Sequence, residues 1–205
     1  MISAIVLAAG LSTRMGQTKG LLDWQGVPLV CYQVEQLRAA GVDDVVVVLG
    51  HRMDDLHRAI RNHRCRVMVN TRYYLGRAGS LRLGARAVER DTDAVIVVNV
   101  DQPRTAGFFR ALIAGHDPSR AATRPVVDGR RGHPVILSGR LRGEMLEVTE
   151  EGEGLRAILR AHSAEVGEVA IDGSATLDLN TPEEYQAARA EIGRASCRER
   201  VYVLV

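Results

Sequence analysis

The chain has 205 residues, 46% hydrophobic and 25% charged, enough for one domain with a substantial buried core. Its 27 basic and 25 acidic residues leave a net charge of +2 with the arginines dispersed, so composition points to neither nucleic acid nor a membrane surface as partner. No apolar stretch reaches transmembrane length, and no basic region precedes the apolar N-terminus, which reads as a core strand rather than a signal peptide.

Ile2 to Leu7 has the length and β-branched content of a buried strand. Ala8, Ala9 and Gly10 follow, then a polar loop with Arg14, Gly16 and Lys19. Small residues let backbone approach a ligand closely, and successive N–H groups in such a turn form an anion-binding concavity. Arg14 brings a planar fork suited to phosphate oxygens and Lys19 a compact point charge. The stretch reads as a polyphosphate cradle, the alternative being a surface turn with solvated charges. It is not a Walker A loop, because Gln17 follows Gly16. It is not a dinucleotide fingerprint either, because no middle glycine lies between Gly10 and Gly16.

Pro28 stands where a helix can begin, and Leu29 to Ala40 supports one that stops at Gly41. The uniform apolar run Val45 to Leu49 suits a parallel strand covered on both faces. Met53 to Arg61 is predicted helical, Arg66 to Asn70 extended, Ser80 to Arg90 helical, and Ala94 to Val98 a fourth apolar strand running into Asn99-Val100-Asp101. That alternation predicts an α/β fold: a single doubly wound, mostly parallel sheet with helices on both faces and right-handed crossovers. Ligands bind beyond the carboxyl ends of such strands, where the loop after Leu7, Asn70 and Asp101 all fall.

Thr105 to Gly115 should be helical. Ala121 to Val127 and Gly132 to Leu137 read as strands around the Asp128-Gly129 turn, either a hairpin or a pair extending the sheet. Leu141 to Val148 and Leu155 to Ala161 are expected as helices and Val166 to Ile171 as a strand. Thr181-Pro182-Glu183-Glu184 has a Thr cap, an early Pro and acids at the positive end of a helix dipole. Residues 1–191 are read as one domain. Residues 192–205 are read as an artefactual or disordered tail, because Ile192 to Val201 is the string that a common sequencing-adapter oligonucleotide gives when translated in one frame. Cys31, Cys65 and Cys197 are odd in number, widely spaced and without C-x-x-C, which argues against a disulfide framework or zinc site and fits a reducing cytoplasm.

LAAG at Leu7 to Gly10, RMG at Arg14 to Gly16, Lys19 and LLDWQGVPL at Leu21 to Leu29 together resemble the MobA-like nucleotidyltransferases, and within them the molybdenum cofactor cytidylyltransferase branch. The resemblance covers nearly all of Ile2 to Ala190. It implies a nucleotidyltransferase fold and a Mg2+-dependent transfer of CMP from CTP to the phosphate of the molybdopterin cofactor, with pyrophosphate released. LAAG in place of LAGG implies CTP over GTP, and a molybdoenzyme is implied as a candidate recipient of the product. Two other readings stay open: nucleotide transfer to a sugar or polyol phosphate, and a delivery protein that carries a finished cofactor without turnover.

By the same resemblance Leu7, Ala8, Ala9 and Gly10 bind the triphosphate, with Arg14 and Lys19 stabilising charge. Asp101, in the D-Q-P element at Asp101 to Pro103, binds Mg2+, although Val100 stands where glycine is common in relatives. Read from the residues alone, Asp101 is either a metal ligand or a cap for the next helix. Asp178-Leu179-Asn180-Thr181-Pro182 resembles a late D-[IV]-D-T-P element with Asn180 in place of the second acid. Asp178 or the Asn180 amide oxygen completes the metal site, or both serve a turn. Asn70, Gly79 and Ser80 match the region around base and sugar, with an ordinary helix cap as the competing role, and Arg77 and Arg82 face either substrate or solvent. His133, in Arg130 to Ile136, matches a segment near the acceptor, or is held by strand packing. Glu151-Gly152-Glu153-Gly154-Leu155-Arg156 departs from the family's G-D-x-G-x-R order, a departure that bears on acceptor recognition.

Overall fold

The computed structural model describes residues 1–171 and 177–190; the tail expected at 192–205 lies outside the described residues. Strand β1 (Ile2–Ala8) sits in the middle of the main sheet, paired in parallel with β4 (Asp44–Leu49) on one side and β6 (Ala94–Asn99) on the other. Beyond β4 lies β5 (Arg66–Val69). Beyond β6 come β9 (Val135–Ser138), β7 (Ala122–Val127) and β10 (Val166–Ala170). Of these seven strands only β9 runs against its neighbours. The mostly parallel α/β sheet expected from the alternating pattern is therefore present, with one inverted strand.

The strand pairs that the sequence left open do both things at once. Asp128 and Gly129 turn the chain with positive φ (49° and 72°), and the short β8 (Arg130–Arg131) pairs back on β7. The chain then inserts β9 between β6 and β7. A second small hairpin, β2 (Asp23–Trp24) with β3 (Val27–Pro28), turns at Gln25 and Gly26, also with positive φ. Its two-residue arms are too short for periodicity to reveal.

Side-chain alternation splits the core into two layers. Ala4, Val6 and Ala8 of β1, with Val45, Val47, Ile96 and Val98, pack under α1 (Leu29–Ala39), α2 (Met53–Ile60) and α4 (Ala106–Ala114). Ile5, with Val46, Val48, Val95 and Val97, packs under α3 (Arg77–Ala87), α5 (Arg142–Glu147) and α6 (Leu155–Ala161). Burial on both faces is why these strands read as continuous apolar runs. Gly84 brings α3 close to β1: a Cβ there would lie 2.4 Å from Ile5 Cγ2.

Helix α3 starts at Arg77, three residues before the predicted start at Ser80. Gly76 (φ 115°) forms its entry, and the Glu150 carboxylate accepts from the Ala78 N–H at 2.8 Å, satisfying a first-turn donor from a distant segment. Residues 182–190 form the expected final helix. The Thr181 hydroxyl accepts from the Glu184 N–H while the Glu184 carboxylate accepts from Asn180 N and Thr181 N, a reciprocal capping box. The Tyr185 hydroxyl donates to the Asp23 carbonyl at 2.6 Å and ties this helix to β2.

Candidate active site

Strand order runs from β1 outward through β4 to β5, then returns to start again at β6 on the other side. The crevice beyond β1 and β6 is therefore a topological switch point, where loops diverge and leave room for a ligand. Val100 N donates to Leu7 O at 3.1 Å, so the two loops leave the sheet at the same level.

In the first loop Ala8 and Ala9 are buried and Gly10 is exposed. Ser12 takes a left-handed conformation and its hydroxyl accepts from Lys19 N at 3.1 Å, closing the loop on itself. Gly20 seats the following turn on α2: a Cβ there would meet Leu56 Cδ2 at 2.7 Å. With its backbone held at both points, Lys19 reaches across the crevice. Its Nζ donates to Asp101 Oδ2 at 2.6 Å and to Asn180 Oδ1 at 3.0 Å. Arg14 stands at the solvent side, 3.4 Å from the same Asn180 oxygen.

The Asp101 loop is held from several directions. The Gln33 side chain on α1 donates to the Gln102 carbonyl, and Asn99 Nδ2 donates to Gln102 Oε1 at 3.2 Å. Thr105, not Asp101, caps α4: its hydroxyl accepts from Phe108 N at 3.2 Å, leaving the Asp101 carboxylate free of capping duty. Leu179 N donates to Asp101 O at 2.9 Å and so fixes the Asn180 segment against this loop.

Two adjoining cavities meet here. One, of about 320 Å3, is lined by Leu7, Ala8, Ala9, Gly10, Arg14, Lys19, Ser80 and Asp101, among others. The second, of about 500 Å3, is lined by His133, Asp178, Glu150, Arg156 and others, and shares Leu7, Arg77, Asn99, Asp101 and Asn180 with the first. Asn70 and Gly79 line a separate cavity of about 530 Å3 across the first turn of α3. Asn70 is buried and donates to Ser80 Oγ at 2.9 Å, so it supports Ser80 from behind the first cavity. Gly79 and Ser80 sit inside the first turn of α3 rather than before it.

Partial enclosure in the cavity wall pushes the His133 imidazole below its ordinary pKa, with Asp178 opposing and Arg77, Arg104 and Arg156 pushing the same way. His133 as a whole is solvent-exposed and stands at the rim of the second cavity. Asp178 lines the second cavity, with one carboxylate oxygen 3.9 Å from the Arg104 guanidinium. Arg77 donates to Asn99 Oδ1 at 3.3 Å between the two cavities, and Arg82 donates to the Val148 carbonyl at 2.5 Å.

Two contributors had no signal in the sequence: Glu150, which occupies the start of α3, and Arg104, which is 2% exposed. Each acts through contacts with segments far away in the chain.

Among the described residues no group of three or more His, Cys, Asp or Glu side chains converges on a point. What converges is one carboxylate oxygen and one amide oxygen, Asp101 Oδ2 and Asn180 Oδ1, both directed at the Lys19 ammonium. That hard, oxygen-only, sparse donor set fits Mg2+, which takes one or two protein oxygens and fills its remaining positions with water and phosphate.

The family model for the MobA-like NTP transferase domain matches residues 4–166. The chain is 29% identical to a nicotine blue oxidoreductase of Paenarthrobacter nicotinovorans, over 78% of this chain and 81% of that protein. It is 26% identical to the molybdenum cofactor cytidylyltransferase of Escherichia coli, over 92% of this chain and 95% of that protein. Among solved structures, Rv0371c of Mycobacterium tuberculosis superposes with a TM-score of 0.80 at 26% identity, covering 91% of this chain and 96% of that one; a second structure of Rv0371c is a complex with manganese.

Proposed function

This chain belongs to the MobA-like NTP transferase family, and from that premise we propose that it joins the CMP of CTP to the phosphate of a molybdopterin-type cofactor and releases pyrophosphate. The observation that carries the reading is the convergence of Lys19, Asp101 and Asn180 where the first cavity meets the second one. A donor in the first cavity and an acceptor in the second would meet beside Asp101.

The reaction is a displacement at phosphorus. An acceptor phosphate oxygen forms a bond to the α-phosphorus of the triphosphate, the bond from that phosphorus to the bridging oxygen breaks, and pyrophosphate leaves with the electron pair. The nucleophile is already ionised, so no general base is required, and the protein contributes position and charge neutralisation. Ala8, Ala9 and Gly10 present backbone N–H groups to the triphosphate. Arg14 and Lys19 neutralise charge that builds on the leaving pyrophosphate. Asp101, with Asn180 or Asp178 as second ligand, would hold Mg2+, which supplies further charge neutralisation at the phosphate oxygens. Ser80, backed by Asn70, offers hydrogen bonds toward base and sugar, whereas Gly79, expected beside it, lines the neighbouring cavity; His133 contacts the acceptor as a neutral imidazole.

Support for CTP comes from LAAG at Leu7 to Gly10 and from the relative named a cytidylyltransferase. Other relatives at similar identity are named for sugar-phosphate chemistry, such as a mannose-1-phosphate guanyltransferase of Aspergillus oryzae at 29% over 49% of this chain. The acceptor is therefore what the experiment must decide. A hydride transfer of the kind suggested by the oxidoreductase name finds no glycine fingerprint after β1. A cytoplasmic setting is consistent with the free thiols of Cys31 and Cys65.

The test is pyrophosphate release by the full chain with CTP, GTP, ATP or UTP and Mg2+, with and without molybdenum-loaded molybdopterin, and separately with sugar and polyol phosphates. Release with CTP only when the pterin is present is the expected result. Release only with a sugar or polyol phosphate would replace the acceptor. Binding of CTP without release under any condition would favour the delivery role.

A further inference from the structure

Arg104 follows the D-Q-P segment directly and is a charged side chain with almost no contact with solvent. Its guanidinium is shared among three stretches of chain. Nη1 donates to the Pro103 carbonyl at 3.0 Å and to the Leu177 carbonyl at 2.7 Å, while Nε donates to the His133 carbonyl at 3.2 Å. The guanidinium carbon lies 5.7 Å from the centre of the Phe108 ring in the first turn of α4, which covers it. Its carboxylate neighbour, Asp178, stands 3.9 Å away, beyond hydrogen-bond distance. The cation is thus held chiefly by backbone carbonyls rather than by a paired acid. Burial pushes its pKa down to about 10, with Asp178 and Asp101 opposing.

A buried cation costs more than an apolar side chain of the same size would, so its contacts are the place to look for its use. The three carbonyls belong to three parts of the site. Pro103 ends the loop of Asp101. Leu177 begins the segment whose Leu179 N–H returns to Asp101 O and whose Asn180 reaches Lys19. His133 stands in the second cavity.

We propose that Arg104 is a positioning residue whose buried guanidinium locks the Asp101 loop, the Leu177–Asn180 segment and the His133 backbone into one unit. It thereby sets the spacing between the oxygens offered to a divalent cation and the wall of the acceptor cavity. The proposal rests on the nucleotidyltransfer reading for its metal and acceptor consequences, whereas the lock itself is a property of the fold. An ammonium cannot replace it fully, because a planar fork directs its donors to several fixed points while a lysine carries a single point charge.

The experiment compares wild type, Arg104→Met and Arg104→Lys by amide hydrogen exchange. It adds the Mn2+ concentration that half-saturates CTP-dependent pyrophosphate release and, separately, kcat at saturating Mn2+. In Arg104→Met the amides of residues 178–180 should exchange at least about tenfold faster, with those of β1 and β6 unchanged. The half-saturating Mn2+ should rise by about tenfold or more, the usual consequence of losing a residue that orients metal ligands. Arg104→Lys should fall between the two. If Arg104→Met does not fold, the same two readouts on Arg104→Lys decide. Wild-type exchange at 178–180 overturns the proposal, as does uniform loosening of the whole sheet, the mark of a merely structural residue. Local loosening with an unchanged Mn2+ requirement overturns its metal-positioning part. A wild-type protein that releases no pyrophosphate with any triphosphate defeats the proposed function instead, and exchange alone then decides the lock.

Discussion

Lys19 Nζ lies 2.6 Å from Asp101 Oδ2, joining the loop after β1 to the loop after β6 across the point where strand order reverses. The two side chains, 12% and 22% exposed, line the crevice and are mostly enclosed. An ion pair so placed adds little net stability, because the cost of taking both charges largely out of water offsets most of their attraction. On the proposed function its importance lies in being a cation and an anion held together where a phosphate and a metal would separate them.

Lys19→Ala should therefore lower kcat by about 10²–10³, the usual loss when one preorganised charge is removed from a reacting centre. The thermal midpoint should move by no more than about 2–4 °C, the shift that roughly 1 kcal/mol produces in a chain this long. Steady-state kinetics beside a thermal melt check both halves. A large drop in melting temperature would make Lys19 structural.

Asp101→Asn keeps the shape of the loop and removes its charge. Turnover should fall by at least about 10², and what remains should need more Mg2+. Titrating Mg2+ against initial rate is the check, and a variant with unaltered Mg2+ dependence removes Asp101 from the metal site.

Gly50, just after β4, bears on the cradle without touching a ligand. A Cβ there would lie 2.7 Å from Ala9 O and 2.8 Å from Ala9 Cβ, while Tyr73 Cβ, also at 2.7 Å, blocks the other side. Gly50→Ala should push the Ala9 backbone out of place and raise the Kd for CTP by about tenfold or more, given how steeply such contacts depend on placement. Equilibrium binding of CTP measures this directly. Unchanged affinity would mean that the loop yields freely.

Gly139→Ala should act on folding alone. Its Cβ would stand 1.8 Å from the Thr92 carbonyl oxygen, a backbone atom with no rotamer to turn away, far from the crevice. A loss of about 3 kcal/mol in urea unfolding is expected, at the upper end for overpacking. Activity per folded molecule should be unchanged.

His116 gives an acid limit to stability. Burial holds its pKa below the ordinary value, with Asp117 opposing. Its Nδ1 lies 2.8 Å from Thr123 Oγ1, and its buried Nε2 has no partner among the described residues. The unfolded chain takes up the proton near pH ~6.5, so the contribution of neutral His116 is present above that pH and lost as pH falls toward the folded value. His162 works in the opposite direction. Its hydrogen bond to Glu144 raises its pKa, as does Glu165, so its contribution is present below pH ~6.5 and fades as pH rises through the folded value. Its partners are exposed, so screening keeps that contribution small. The urea midpoint should fall between pH 7.5 and 5.5, and His116→Asn should flatten the fall. Equal midpoints for wild type at both values would contradict this.

The sequence by itself determined the sheet and marked the loop from Leu7 to Lys19 as the one on which the candidate site is built. Apolar runs such as Val45 to Leu49 can be buried on both faces only in a covered parallel sheet, and LAAG followed by Arg14 and Lys19 is a local pattern within one short stretch of chain. Helix ends were legible where the cap is local, as in the box from Thr181 to Glu184. They were misplaced where the partner is distant, as at α3, whose start depends on Glu150. Only the tertiary structure decided that Asn180 rather than Asp178 faces Lys19, that Asn70 stands behind Ser80, and that Arg104 joins three segments. Those relationships are contacts between residues at least 10 positions apart, and up to 161. Side-chain periodicity reports which face a residue takes, whereas which partner it meets there is set by how the elements pack.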